Sequence, residues 1–291
     1  MLGSAPRPIF DTLTHTRATQ MSSTMFNDEL KATLWHRQHL ENTHYLRPGH
    51  HTLSFYLAGG FDICRRNQPS LRGAPGKFCI LPAQHESDWL IGGEIRFLHL
   101  YFSEALFADF TVQLLDCEPR ERQLLERTYI DDPVLAQLCQ QFIALDWSLQ
   151  DGKLSGHALA HEVLAHLIMT QTARPQQIIA KGGLAPRQRR GALEMIEAHL
   201  DSPLTVAALA QELGLSEYHF ARMFKSSLGF APHAWICRRR LERARQTLSD
   251  TRLPLADVAA ACGFSNASHL VNRFRAAYGV TPSQYRHWAS N

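Results

Sequence analysis

The chain of 291 residues is notable first for what it lacks. No apolar run approaches the roughly 20 residues that a membrane-spanning helix needs, so no membrane partner is expected. No basic flank leads into an apolar stretch near the N-terminus, which argues against a secretory leader. The six cysteines, Cys64, Cys79, Cys117, Cys139, Cys237 and Cys262, never form a Cys-x-x-Cys pair. Most lie among apolar neighbours, a pattern of buried free thiols in a reducing cytoplasm rather than of a disulfide framework or zinc site. Charged residues make up 20% and apolar residues 45%, which excludes a disordered chain. The length suits about two domains.

Catalytic constellations are missing as well. The chain holds 16 histidines, yet no Ser-His-Asp or Cys-His arrangement stands out. His157 and His161 are one helical turn apart, but His161-Glu162-x-x-x-His166 is one residue too long for H-E-x-x-H, so the next histidine leaves the face. His50 and His51 are adjacent, and on a strand their side chains point to opposite faces. These features predict no catalytic residue, no metal, no cofactor and no enzyme.

What is present is unevenly distributed. From Ala185 onward there are 14 Lys+Arg against 8 Asp+Glu, a surplus of six positive charges, while the remainder carries three more negative charges than positive. A basic half joined to a mildly acidic one suggests nucleic-acid binding in the former.

That basic half contains one helical pattern twice, at about 204–229 (LTVAALAQELGLSEYHFARMFKSSLG) and 253–279 (LPLADVAAACGFSNASHLVNRFRAAYG). Each copy has an alanine-rich amphipathic helix, a turn through Gly214 or Gly263, and a second helix opened by Ser216 or Ser265. Each second helix carries an apolar-x-x-x-Phe pair, Phe220/Phe224 or Leu270/Phe274, and stops at Gly229 or Gly279. This is the layout of a helix-turn-helix. In the first copy Phe220, Met223 and Phe224 share a face that would dock on Ala207, Leu209 and Leu213. The opposite face offers Tyr218, His219, Arg222 and Lys225: a guanidinium suited to the O6/N7 edge of guanine, and an ammonium suited to phosphate. In the second copy Ala267, Leu270 and Phe274 turn inward, leaving Asn266, Ser268, His269, Asn272 and Arg273 for bases or phosphates and Arg275 for the backbone. Between the copies, Trp235 to Leu248 carries Arg238, Arg239, Arg240, Arg243 and Arg245. It reads as a rigid spacer able to set two recognition helices about 34 Å apart on one DNA face.

Residues 185 to 289 resemble the DNA-binding domain of AraC/XylS-type bacterial transcription regulators. The stretch GFS-x-x-SH-x-x-x-RFR followed by YGVTPSQYR carries the resemblance most specifically. Leu270 stands where many relatives have Phe, and Ala221 where a longer side chain often reads bases. The resemblance implies a cupin-like barrel followed by dimerisation helices in the N-terminal half. The β pattern there agrees on independent grounds: Leu53, Phe55 and Leu57 alternate with Ser54 and Tyr56, and Ile95, Phe97, His99 and Tyr101 alternate with Arg96, Leu98, Leu100 and Phe102. Turn signals separate these short runs. PGKFCILPAQHESDW, Pro75 to Trp89, resembles the family's effector-pocket segment and contains Gly76 and Pro82, a fragment of a cupin motif. His85 follows Pro82 too closely to complete that motif, so the barrel is expected to be metal-free. Trp89, Phe97 and His99 are the candidate effector-binding residues.

The expected architecture is α+β: a flexible arm over 1–24, a cupin-like effector-binding and dimerisation domain over 25–172 with helices at 134–149 and 157–170, a linker over 173–184, and an all-α DNA-binding domain over 185–291. The expected function is a cytoplasmic, sequence-specific transcription regulator. Its partners would be double-stranded operator DNA, a small-molecule effector, a second copy of the chain and, for an activator, RNA polymerase. The alternatives are a cupin metalloenzyme with a DNA-binding tail and an effector-independent regulator whose barrel only dimerises.

Overall fold

In the computed structural model, residues 8–175 and 182–290 are described. The chain divides into two compact units. One comprises the residues up to Leu115 together with Arg122–Arg174, the other Asp116–Glu121 and the residues from Pro175 onward. Among the described residues no helix is long and apolar enough to cross a membrane.

The N-terminal unit begins with helix α1 (Ile9–Thr14), followed by strands β1 (Thr19–Asn27), β2 (Leu30–Arg37), β3 (Glu41–Leu46), β4 (His51–Gly59), β5 (Ile63–Arg65), β6 (Phe78–Leu81), β7 (Glu86–Ile91) and β8 (Ile95–Phe102). Then come α2 (Glu104–Leu115), the short strands β9 (Gln123–Leu124) and β10 (Arg127–Ile130), α3 (Pro133–Ile143), α4 (Gln150–Thr170) and β11 (Thr172–Ala173). A six-stranded sheet runs β1-β2-β8-β4-β6-β10, and a three-stranded sheet runs β3-β7-β5.

The central strands β4 and β8 are buried on both faces over most of their length, with polar Thr52, Ser54 and His99 among the buried residues. Leu53, Phe55, Leu98, Leu100 and Phe102 pack against α2, α3 and α4 in one core. Tyr56, Phe97 and Tyr101 point the other way and meet Tyr45, Ile63, Trp89 and Ile91 of the smaller sheet in a second core. The two sheets thus face one another across a barrel-like interior without a shared hydrogen-bonded ladder.

The expected flexible arm over 1–24 is corrected from Pro8 onward; residues 1–7 lie outside the described residues. Ile9 and Leu13 of α1 are fully buried in the second core, and the Ile9 amide donates to His50 Nε2 at 3.2 Å. An amphipathic turn of helix, hidden among Thr and Pro, found an apolar surface to cover. The helix expected at 134–149 ends at Ile143, and the one expected from 157 starts at Gln150. Gly152 permits the tight turn between them, since a Cβ there would sit 1.9 Å from the Asp146 carbonyl oxygen. Of the expected linker, Ala173 pairs with Gln123 of β9, and residues 176–181 lie outside the described residues.

The C-terminal unit is helical: α5 (Pro186–Ala198), α6 (Val206–Glu212), α7 (Glu217–Leu228), α8 (Pro232–Asp250), α9 (Leu255–Ala261), α10 (Ala267–Tyr278) and α11 (Pro282–Ala289). Phe220, Phe224, Leu270 and Phe274 are all fully buried. Leu209 is buried as expected, but Ala207 is exposed and Leu213 only half-buried, so the inward face of α6 centres on Val206, Leu209 and Ala210.

Two predictions follow from burial. Phe224→Ala should cost about 3–5 kcal/mol of C-terminal stability, read by chemical denaturation; an unchanged transition would show that the ring is not core. In the N-terminal unit, burial lowers the pKa of His50, His85 and His99 and brings His51 down to about 3. Unfolded imidazoles bind protons below about pH 6.5, whereas these folded ones resist protonation. Stability should therefore be complete above that pH and fall progressively as the pH drops toward 3. Melting temperatures between pH 7 and 5 test this, and His51→Phe should flatten the decline.

Candidate nucleic-acid interface and barrel cavity

The first recognition helix, α7, starts where Ser216 Oγ accepts the His219 amide at 3.3 Å and stops at Gly229, whose φ is 82°. The second, α10, stops likewise at Gly279, with φ 72°. Its start corrects the expected one: the cap is Asn266, whose Oδ1 accepts the His269 amide at 2.8 Å. Ser265 instead hydrogen-bonds His269 Nδ1 at 3.1 Å. A cap residue one position later leaves the helix one residue shorter and occupies the side-chain carbonyl of Asn266, one of the residues expected to reach bases or phosphates.

The turns differ in a telling way. Gly214 and Gly263 both have positive φ, 67° and 73°. Gly214 has open space where a Cβ would go, but at Gly263 a Cβ would lie 2.0 Å from Leu200 O. Arg240 Nε of α8 donates to that same carbonyl at 2.9 Å, and its Nη2 to Ser202 O at 2.8 Å. The second turn is therefore wedged against α8 and the end of α5.

Tyr218, His219, Arg222 and Lys225 are exposed along α7, and Tyr218 is 78% exposed. On α10 and its cap, Asn266, Ser268, His269, Asn272, Arg273 and Arg275 are exposed. An exposed tyrosine ring beside a guanidinium offers stacking and a bidentate donor fork.

The arginines of α8 behave differently. Arg239 Nε pairs with Glu197 at 2.5 Å. Arg245 pairs with Glu242 at 2.7 Å and donates to Tyr285 Oη at 3.2 Å. Arg238 lies over the Phe230 ring at 4.7 Å. With Arg240 on two carbonyls, four of the five are tied into the domain, and Arg243 is exposed. Glu242 lies within the basic run itself, but the sequence does not show the partners from α5, the residues that follow it, and α11.

Sequence reasoning also missed the segment Asp116–Glu121, which packs as part of the C-terminal unit. Glu118, 8% exposed, pairs with Arg120 and with Arg189 of α5 at 3.5 Å. Arg120 also reaches Ser226 Oγ of α7 at 3.4 Å. No local pattern marks this segment, since its partners lie 71 and 106 residues away.

In the N-terminal unit, the interior between the sheets holds a small cavity with about 30 Å³ of free space. Trp89, Phe97 and His99 all line it, together with Arg37, Ser54 and Tyr56, which the sequence reading did not select. Arg37 was legible in principle: it is in phase with Thr33 and Trp35 on β2, and all three are buried. Ser54 sits directly across from His99 in the β4–β8 register. His99 is held well below the usual imidazole range by burial, then by the charges of His50 and Arg37. Among the described residues no group of three or more His, Cys, Asp or Glu side chains is arranged to hold a metal ion.

Two capped helices with buried apolar faces and exposed polar ones, joined by one long helix, define a tandem helix-turn-helix DNA-binding domain. Residues 209–287 match the family model described as a helix-turn-helix domain, and the domain is of the AraC type. The chain is 38% identical over 91 residues to the probable transcriptional regulator LumQ of Photobacterium leiognathi, covering 31% of this chain and 37% of LumQ. It is 38% identical over 95 residues to the regulatory protein PocR of Salmonella typhimurium, covering 33% and 31%. A crystal structure of an AraC-type regulator from Chromobacterium violaceum shares 30% identity with a TM-score of 0.35, covering 36% of this chain and 94% of that one. The chain spans about a third of the length of the curated relatives it matches.

Arg222→Ala should weaken operator binding by about 1–3 kcal/mol and relax the preference at one base position, as read by titration against base-substituted operators. Asn266→Ala should instead lower domain stability by about 0.5–2 kcal/mol, with Asn266→Asp restoring it. A base-specific loss with unchanged melting in Asn266→Ala would refute its assignment as a cap.

Proposed function

We propose that the chain is a sequence-specific transcription regulator that acts on double-stranded DNA in the cytoplasm, not an enzyme. The carrying observation is the pair of recognition helices, α7 and α10, each fixed by a cap at one end and a glycine at the other and each presenting a polar face. On this reading Tyr218, His219, Arg222 and Lys225 contact one groove segment. Ser268, His269, Asn272 and Arg273 contact the next, Arg275 the backbone, and Asn266 the edge of the second site through its free amide.

The N-terminal unit binds a small-molecule effector between its sheets, with Trp89, Phe97 and His99 against it. The enclosed aromatic lining with a few convergent polar groups supports this. A second copy pairs through α3 and α4. Val134, Leu149 and Met169, on or beside these helices, are exposed at 49%, 60% and 60%. Effector binding shifts the population of DNA-competent arrangements by its differential affinity for them. For an activator, RNA polymerase is the further partner.

Selection from random duplexes with the full chain tests the reading. It should yield two dissimilar elements per protomer, with centres about 10 base pairs apart. A single palindromic element, or enrichment of no sequence, would contradict it.

A further inference from the structure

The donors lining the cavity select the class of molecule it holds, an inference that rests on the effector reading above. Arg37 is 3% exposed. Its Nη2 donates to Glu41 at 2.6 Å and Thr43 at 2.7 Å, but its Nε is buried without a hydrogen-bond partner. A guanidinium cannot shed its proton to escape this situation, so the unpartnered N–H calls for an acceptor.

A second donor is set by a relay. Trp35 Nε1, a donor only, gives its hydrogen to Tyr101 Oη at 2.9 Å. The Tyr101 hydroxyl in turn lies 3.0 Å from His99 Nδ1. With Tyr101 Oη accepting from Trp35, its own hydrogen can pass to His99 Nδ1, the other imidazole tautomer reversing that bond. A neutral His99 then carries its hydrogen on Nε2, as a second donor on a cavity-lining ring. The Ser54 hydroxyl faces His99 across the sheet. Beside them on the same strands lie Phe97 and Tyr56, and Trp89 lines the cavity from the smaller sheet. Arg37 is the only lining residue with a permanent charge.

We propose that the cavity binds a monocarboxylate with a compact apolar body, its carboxylate accepting from Arg37 Nε–H and His99 Nε2–H and its body lying against Trp89 and Phe97. The free space among these side chains is about 30 Å³, well under the roughly 300–1,000 Å³ of open ligand pockets, so Trp89 and Phe97 have to part to admit the body. The body is therefore small, a single ring at most. A charge-assisted hydrogen bond to a carboxylate is roughly twice as strong as a neutral one, which favours the acid over its amide or alcohol.

The test titrates the full chain at pH 7 with benzoate and cyclohexanecarboxylate, and with benzamide, benzyl alcohol and D-xylose, by calorimetry and tryptophan fluorescence. At least one acid should bind, with every neutral probe at least tenfold weaker. Arg37→Gln should weaken the acid at least tenfold. Because Arg37 also holds Glu41 and Thr43, Arg37→Lys keeps the charge while removing the Nε donor, and it too should weaken the acid; melting curves establish that both variants fold. Benzamide or xylose binding as tightly as the acids, with Ser54→Phe blocking them, would overturn the carboxylate and leave the effector cavity standing. No binding by any probe would overturn both. Unaltered acid affinity in a folded Arg37→Gln would place the acid elsewhere.

Discussion

The burial of one face of α8 is the constraint on which the DNA-binding unit depends. Trp235, Ile236, Leu241, Ala244 and Leu248 are withdrawn from water along 19 residues of helix. Full burial of each large apolar side chain contributes about 1.5–3 kcal/mol. Trp235 packs edge-on against Phe224 of the first recognition helix, with ring centroids 6.5 Å apart. At the other end Arg245 reaches Tyr285, whose ring lies 5.6 Å from Phe274 of the second. The same helix therefore holds both recognition helices by their cores. Arg239 and Arg240 fasten it to Glu197 and to the carbonyls that end α5. A tandem unit whose halves were joined by a flexible chain would lose freedom on reaching two grooves at once; this one has lost it already on folding.

A comparable economy governs the N-terminal unit. Strands β4 and β8 are buried on both faces, so alternate residues serve two different purposes. One set, Leu53, Phe55, Leu98 and Leu100, joins the sheet to α2, α3 and α4. The other, Ser54, Tyr56, Phe97 and His99, faces the cavity. A ligand that moved a cavity residue would strain a strand whose other face carries the helices proposed for pairing. Close-packed interiors transmit such displacements rather than absorb them, which gives a physical route from an occupied cavity to the spacing of two protomers.

The elements legible in the sequence were those with strong periodicity and local punctuation. The recognition helices, their terminal glycines and the Ser216 cap are set by residues within one turn of each other. So is the inward and outward alternation on β8. Features set by distant partners were not legible. Helix α1 depends on an apolar surface formed by strands that follow it. The α8 arginines read as a free basic face because Glu197, Leu200 and Tyr285 are 40 or more residues away. Arg37 went unselected because an arginine at a strand end is ordinarily solvated, and only the register with Trp35 places it inside. Between Ser265 and Asn266 both residue types are good caps, so composition could not choose, and the backbone did.

Those internal pairings change the electrostatics of DNA binding. The C-terminal half carries a surplus of six positive charges, but four of the α8 arginines are committed to carboxylates, carbonyls or a ring of their own domain. On the proposed reading, affinity for phosphates falls on a smaller set, among them Lys225, Arg273 and Arg275, and each neutralised phosphate adds about 0.9 to the salt slope. On that reading, a unit with few such contacts depends more on its proposed base-reading groups, Arg222, Ser268 and Asn272, for whatever specificity it has. It also gains more from a second protomer, since linking two sites converts the second encounter into an intramolecular one. On the proposed reading, control through pairing of the N-terminal units is therefore effective because each DNA-binding unit alone is not saturating: a regulator whose single domain already held its site tightly would leave an effector little to change.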